Sequence, residues 1–320
     1  MMRFLLLFCW MGAAQLAFGQ QQTVYTNFLL NDYYYNPAIA GSRDATVSLA
    51  YRNQWAGFDG APVAVMGNMH GSLKNRGKHG YGVAVTSDKT GLTQKTGFYL
   101  NYAHHFKLWD NTKLGLGVQP GFMQYSVKLF DAQLADAGDQ VLTGNILSVN
   151  AIDMNAGFNL YGPRFFLMGS LSHLLGESVR FTSYNSSLTY HYNLIAGYTV
   201  SFPSRKLDLQ PSIMLKYARP VPMQWTVMAK LTYDKKYWAG LIFRSDDAVG
   251  ISLGVTIKDK LNIGYGYDYS VIGLRKYQAG SHEIMLSYIL KRKKSDLDSK
   301  DEELNKSIME DMKKQVKEKK

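Results

Sequence analysis

The side chains with the clearest catalytic potential in this chain of 320 residues lie in two short clusters. Ser281, His282 and Glu283 supply the three side-chain types of a hydrolytic triad, and His104 and His105 supply two imidazoles for a metal ion. Both clusters lie in segments that we interpret as β-strands. Because successive strand residues point to opposite faces, neither cluster can converge on one substrate or one ion. The spacing therefore predicts neither a triad nor a metal site.

Other catalytic signatures are missing from the sequence. It has no Gly-x-Ser-x-Gly elbow, no His-Glu-x-x-His zinc motif and no phosphate-binding loop. Its one cysteine, Cys9, lies in an apolar N-terminal stretch, so the rest of the chain has no thiol nucleophile, disulfide or thiolate metal site. We predict that the protein is not an enzyme and has no cofactor. A barrel hydrolase with catalytic groups scattered among strands is the alternative.

Residues 1–19 have the order of a secretory signal peptide. Arg3 precedes an apolar stretch from Phe4, and small residues lead to Gly19, after which we expect cleavage. A short buried helix is the alternative. No later apolar run approaches the ~18 residues of a spanning helix. The 22 Tyr, 15 Phe and 29 Gly suit instead a β-barrel whose strands face lipid and lumen in turn.

The net charge of +11 is compatible with affinity for nucleic acid or for anionic lipid headgroups. The export signal, the scatter of basic residues among turns and the lack of a recognition motif disfavour nucleic acid.

Strict alternation of apolar with small or polar residues recurs along the chain. It is clear in 207–217, 224–234, 249–258 and 261–270, where one face is apolar and the other carries mainly Gly, Ser, Thr, Asn and Gln. A soluble β-sandwich also alternates. The small, polar second face favours a barrel lumen.

Loop lengths support the same interpretation. Reading by period two delimits fourteen candidate strands, near 45–54, 63–72, 79–87, 96–106, 112–125, 150–160, 164–172, 190–201, 207–217, 222–234, 236–244, 248–257, 260–269 and 280–290. An even number puts the first and last strand ends on one side, which is periplasmic in bacterial barrels. The long connections, near 126–149, 173–189 and 270–279, all fall on the other side. We therefore predict an all-β transmembrane antiparallel barrel of about 14 strands over residues 45–290.

Two segments flank this predicted barrel. Pro37 restricts Asn36 to extended geometry, so we interpret 20–44 as an extended segment and turn at the periplasmic mouth, or tucked into the lumen. Residues 291–320 hold eleven basic and eight acidic side chains, and Leu304 and Ile308 belong to an apolar stripe of every fourth residue. This charged tail is either solvated and disordered, or a periplasmic helix that docks on a partner.

Four sets of short motifs, in order along 22–290, carry a family resemblance. They are Tyr34-Tyr35-Asn36-Pro37-Ala38 with Gly41; Tyr51-Arg52-Asn53-Gln54-Trp55 with Gly60 and Pro62; Gly80-Tyr81-Gly82 with Asp88 and Gly91; and Gly280-Ser281-His282-Glu283-Ile284. Together they resemble the PorP/SprF family of type IX secretion and gliding-motility proteins, which are outer-membrane barrels.

The resemblance implies a multi-pass barrel of the cell outer membrane, and the even strand count predicts that both termini are periplasmic. The resemblance also implies a role in exporting, or holding at the surface, proteins with a C-terminal secretion domain, such as filamentous adhesins. The expected partners are outer-membrane lipid, such a secreted protein, and other type IX components, with 291–320 as the candidate contact for these components. A general porin or small-molecule transporter is the alternative function.

The motif residues are also the candidate partner-binding residues. Tyr51 and Trp55 would suit an aromatic belt at the membrane interface. Arg52 would then point into the lumen, where its charge needs a carboxylate such as Asp44, Asp88 or Glu283. These groups would either set the register and closure of the barrel or form a cargo-binding surface.

Overall fold

The computed structural model describes residues 22–72, 78–128, 146–176, 178–181, 184–291 and 303–311. The predicted signal peptide lies outside these residues. The described part contains the strands β1 (Ala45–Asn53), β2 (Val63–Ser72), β3 (His79–Thr90), β4 (Thr93–Trp109), β5 (Thr112–Lys128), β6 (Ile146–Tyr161), β7 (Phe165–Ser172), β8 (Ser178–Phe181), β9 (Tyr184–Ser187), β10 (His191–Tyr198), β11 (Val200–Phe202), β12 (Leu207–Ala218), β13 (Val221–Tyr233), β14 (Tyr237–Arg244), β15 (Ala248–Ile257), β16 (Leu261–Ser270) and β17 (Ser281–Lys291).

These strands close into an antiparallel barrel. Within β1 to β7 and within β11 to β17, each strand pairs with the next strand in sequence, β1 pairs with β17, and β10 pairs with both β7 and β12. Strands β10 and β11 form one spanning strand that is interrupted at Thr199, and β8 and β9 form a separate hairpin. The predicted barrel of about 14 strands is thereby confirmed. Strands β4, β5 and β6 run further than predicted, because polar residues such as Gln94 and Ser126 continue the ladder beyond the apolar alternation.

The burial of side chains follows the predicted period of two. In β15, Ile251 and Leu253 are exposed on the outer wall while Gly250 and Ser252 are buried inside. The outer wall is apolar because it faces lipid, and the inner face is small or polar. The protein core therefore lies inside the barrel. No helix in the described ranges is long and apolar enough to cross a membrane.

The two mouths of the barrel differ. Five short turns of the described residues, near 110–111, 162–164, 203–206, 234–236 and 258–260, meet at one mouth, which we call the short-turn end and where β2 ends and β3 begins. The connections 54–62, 91–92, 219–220, 245–247 and 271–280 leave the strands at the other, which we call the long-loop end, as do the described residues 173–176 and 188–190. A helix over 303–311 reaches the short-turn end, where Arg164 Nη2 donates to Asn305 Oδ1 at 2.6 Å.

Candidate functional site

The lumen is occupied by residues 22–44, which we call the plug. Tyr25, Phe28, Tyr33, Tyr35 and Ile39 are almost completely buried against the barrel wall, and Tyr34 is partly buried. At the long-loop end, Lys216 donates to the backbone carbonyl of Gln22 and Thr23 Oγ1 donates to Asp88 Oδ1 at 3.1 Å. The plug fills the lumen between that contact and the start of β1.

The plug then descends to the short-turn end. There His105 Nε2 lies 2.7 Å from the carbonyl oxygen of Ala40. We expected both ends of the chain at one mouth. The strand ends Ala45 and Lys291 are neighbours, whereas Gln22, the first described residue, lies at the opposite mouth, and both ends of the chain lie outside the described residues.

Residues 22–44 lie in the lumen, which is one of the two placements expected for them, but they are not extended throughout. Asp32–Tyr35 forms a helical turn, α1, and Pro37–Ile39 forms a 3-10 turn. Asn36 between them is extended, with φ −143° and ψ 115°, as Pro37 requires. The restriction therefore acts at one residue only, and turns on both sides of it shorten the segment enough to fit the lumen.

Asn36 also fastens the plug to the wall. Its side-chain amide donates to the carbonyl oxygens of Phe158 at 2.7 Å and Gly169 at 3.1 Å, and its Oδ1 accepts from the backbone N–H of Ala38 at 2.8 Å. Each of these groups would otherwise be a buried polar atom without a partner, at a cost of about 1–3 kcal/mol. The Asn-Pro motif thus has a docking role inside the lumen.

Glycines on the inner wall make room for the plug. A Cβ added to Gly80 would lie 1.8 Å from the carbonyl oxygen of Ala40, and one added to Gly117 would lie 2.5 Å from the nitrogen of Ala38. Gly41 has φ +77°, which favours glycine, and it packs against Gly80. The Gly80 and Gly41 motif positions therefore form one close backbone contact.

A buried charge network joins the plug to the seam between the first and last strands. Arg52 Nη2 lies 2.7 Å from Asp268 Oδ2 and Arg52 Nη1 lies 3.4 Å from Glu283 Oε2. Glu283 also accepts from the backbone N–H groups of Thr26 at 2.6 Å and Asn27 at 2.9 Å. These groups are almost inaccessible to solvent, so their charges are compensated inside the protein.

The expectation for Arg52 is met in part. It points into the lumen and Glu283 is one of its partners, whereas Asp88 contacts Thr23 of the plug. Asp268, the carboxylate nearest to Arg52, was not predicted. Nor was Arg244, whose Nη1 lies 3.2 Å from Asp268 Oδ2. Their positions in the alternation place both on the inner face, and isolated charges of opposite sign on that face were the clue to their pairing.

Above the plug, the long-loop end holds a polar cavity of about 510 Å³, which we call the vestibule. Its walls include Tyr99 and His173, and both of these bond to the buried carboxylate of Asp153, whose Oδ2 accepts from the Tyr99 hydroxyl at 3.1 Å and lies 2.8 Å from His173 Nδ1. Trp55 lines the vestibule, so its predicted place in the outer aromatic belt is wrong. Strand β1 ends at Asn53, and Trp55 has φ +53°, which turns the chain across the mouth. Tyr51 does lie on the outer wall.

The other motif residues distribute between the plug and the long-loop end. Tyr34, Gln54 and Pro62 line the vestibule with Asp88, and the backbone N–H of Gly91 donates to the carbonyl of Gly60 at 2.9 Å. Ser281 Oγ accepts from the backbone N–H of Trp55 at 3.1 Å. Most of the candidate residues therefore meet around the vestibule and the seam.

The two clusters that resembled catalytic sites diverge as predicted. His282 faces outward and contacts the Tyr265 hydroxyl at 2.7 Å, whereas Ser281 and Glu283 face the lumen. His105 faces the plug and His104 packs outside against Phe106. In the described residues no three His, Cys, Asp or Glu side chains are placed to hold a metal ion.

The plug tyrosines form an uncharged cluster. Tyr34 packs edge-on against Tyr25 and Tyr35, with ring centroids 5.1 Å apart in both pairs. Burial raises the pKa of the phenols of Tyr25, Tyr33, Tyr34 and Tyr35 well above the usual value, so all four stay neutral. The tyrosines therefore contribute packing and hydrogen bonds, and the charged contacts of the plug come from wall residues such as Glu283, Asp88 and Lys216.

Comparison with known proteins gave one family match. A model of the family described as "Type IX secretion system membrane protein PorP/SprF" matches residues 17–288. No curated protein matches the chain.

Solved outer-membrane structures are similar only at low identity. A Pseudomonas aeruginosa FadL homologue is 10% identical with a TM-score of 0.47, over 79% of this chain and 92% of that one. The CymD monoaromatic hydrocarbon channel is 10% identical with a TM-score of 0.49, over 85% and 94%. The Pseudomonas putida toluene transporter TodX is 8% identical with a TM-score of 0.47, over 83% and 93%.

Proposed function

Because this chain belongs to the PorP/SprF family of type IX secretion system membrane proteins, we propose that it holds secreted proteins at the cell surface or assists their export. The cargo would carry a C-terminal secretion domain, as the family resemblance implies, and gliding adhesins are one such class. The barrel itself is an outer-membrane component of this system. The proposal adds its task and its partner.

The observation that carries the proposal is the occupied lumen. The plug fills the space between the vestibule and the short-turn end, with Phe28 and Ala38 completely buried. A filled lumen disfavours the porin alternative, and it favours a barrel that binds a protein at one mouth. We propose that the vestibule, lined by Trp55, Gln54 and Pro62, is that mouth.

The orientation belongs to the same proposal. We place the short-turn end in the periplasm and the long loops outside, following the usual arrangement of bacterial barrels. The helix over 303–311 contacts Arg164 at the short-turn end, so the charged tail would meet periplasmic components of the system. The vestibule would then face a secreted protein outside the cell.

Affinity purification from native outer membranes tests the proposal. A tagged barrel should bring down a large surface protein with a C-terminal secretion domain, and loss of the gene should remove that protein from the cell surface. The test variant carries Trp55→Ala and Gln54→Ala in the vestibule. It should fold like the wild type but no longer bring down the surface protein. A clean monomer with high conductance in planar bilayers would contradict the proposal and support the porin alternative.

A further inference from the structure

Positive charge is concentrated at the short-turn end. Residues 78, 107–113, 162–164, 203–206, 234–236 and 258–260 contain ten lysines and arginines against three aspartates, a net charge of +7. The described connections of the long-loop end, 54–62, 91–92, 173–176, 188–190, 219–220, 245–247 and 271–280, contain three cations and three carboxylates, a net charge of zero. The barrel is therefore electrically asymmetric along its axis.

Local ion pairs do not neutralise this charge. Asp234 is shared by Lys206, at 3.6 Å, and Lys236, at 3.0 Å. Lys107 pairs with Asp110 at 2.8 Å. Three carboxylates cannot compensate ten cations, and the side chains involved in these pairs are largely exposed. The helix over 303–311 at this end adds three carboxylates and one lysine, so these described residues still have a net charge of +5 to be balanced from outside.

The cations adjoin a belt of outward aromatic side chains. Trp109 is 67% exposed and directly precedes the turn at Asp110, and Tyr233 and Tyr237 flank the turn that holds Lys235 and Lys236. Exposed aromatic side chains of a membrane protein lie at the level of the lipid headgroups. The turn cations, one to three residues further out, therefore lie where the headgroup phosphates are.

We propose that the short-turn end is a binding surface for anionic phospholipid headgroups of the adjacent leaflet. The cations of neighbouring turns lie side by side around the rim, so several headgroups can each meet a lysine or arginine at the belt. One lysine near an anionic surface favours the charged lipid about fivefold. The inference does not depend on the proposed cargo role, because it needs only a barrel in a membrane.

Tryptophan quenching by brominated lipid measures the enrichment at each mouth. Trp109 reports on the short-turn end when Trp55 and Trp225 are replaced by Phe, and Trp225 reports on the long-loop end when Trp55 and Trp109 are replaced. Trp238 faces the lumen and stays. The full-length barrel is reconstituted in phosphatidylcholine vesicles that contain either brominated phosphatidylglycerol or brominated phosphatidylcholine at the same fraction.

We expect phosphatidylglycerol to quench Trp109 several-fold more effectively than phosphatidylcholine, and the two lipids to quench Trp225 equally. The triple variant Lys78→Gln, Lys107→Gln, Lys113→Gln removes the cations on the strands and turn beside Trp109, and it should abolish the preference at Trp109. The matched control Arg275→Gln, Lys276→Gln at the long-loop end should leave it unchanged.

Equal quenching of Trp109 by both lipids, or a preference that survives the triple variant, would overturn the proposal. The first result would point to an acidic protein partner for this end. Salt gives a test without substitutions, since about 0.5 M NaCl shortens the range of the interaction to a few ångströms and should remove the preference. A salt-independent preference would equally contradict the proposal.

Discussion

Replacing Glu283 by alanine should release the plug. Glu283 accepts three hydrogen bonds from the plug, from the backbone N–H groups of Thr26 and Asn27 and from the Asn27 side chain, at 2.6 to 2.9 Å. It also lies 3.4 Å from Arg52, which keeps Asp268 as a partner at 2.7 Å. Removing one member of such a buried network costs about 3–5 kcal/mol. Because these three hydrogen bonds all reach the plug, most of that cost should fall on plug docking.

A loss of this size shifts the ratio of docked to undocked plug by about 10² to 10³. We expect the wild-type protein to be closed in planar bilayers and the Glu283→Ala protein to show frequent opening events. Ser48→Ala is the matched control, because Ser48 faces the lumen yet bonds only to Ser287, on the neighbouring strand, at 3.1 Å.

The reasoning would be refuted by a Glu283→Ala barrel that is correctly folded by circular dichroism and as closed as wild type. Glu283→Gln covers the case in which the alanine variant does not fold, because it keeps the side-chain size and one acceptor oxygen. It should show an intermediate frequency of openings.

Three further predictions concern the plug and the tail. Gly80→Ala should destabilise the barrel by about 1–3 kcal/mol, since its Cβ would overlap Ala40, whereas Gly273→Ala, which meets no atom within 4 Å, should leave urea unfolding unchanged. Asn36→Ala should lower stability by about 1–3 kcal/mol and expose the plug to added protease; identical digestion of variant and wild type would argue against its docking role. Deleting 292–320 should release a co-purifying protein while the barrel stays in the membrane, and unchanged co-purification would disprove a docking tail.

The wall of the barrel was predictable because its physics is local. In a strand such as 261–270, the polarity of each side chain indicates which face of the sheet it lies on, since one face contacts lipid and the other does not. Counting these segments gave the fourteen strands, and the position of the longer connections separated the two mouths. The ends of β4, β5 and β6 could not be located in this way, because polar residues extend the hydrogen-bonded strand pairing beyond the apolar alternation.

The plug was not predictable in the same way. Its position depends on contacts between residues far apart in the chain, such as Thr26 with Glu283, a separation of 257 residues. No local pattern encodes such a contact. The family motifs did mark several participants, including Asn36, Gly41 and Arg52, but their chemistry became clear only with their partners. Trp55 is the opposite case. Its residue type indicated the aromatic belt at the membrane interface, but the turn after β1 places its side chain in the vestibule.

The charge network at the seam couples closure of the barrel to docking of the plug. Strand β1 contributes Arg52, β17 contributes Glu283, and the plug contributes the backbone N–H groups of Thr26 and Asn27, which donate to Glu283. Arg52 and Glu283 are opposite each other in the register of the two strands, so the plug is bound where the first and last strands meet. Separating these strands or undocking the plug would each leave a buried charge with fewer partners. Closing the cylinder and filling it therefore stabilise one another.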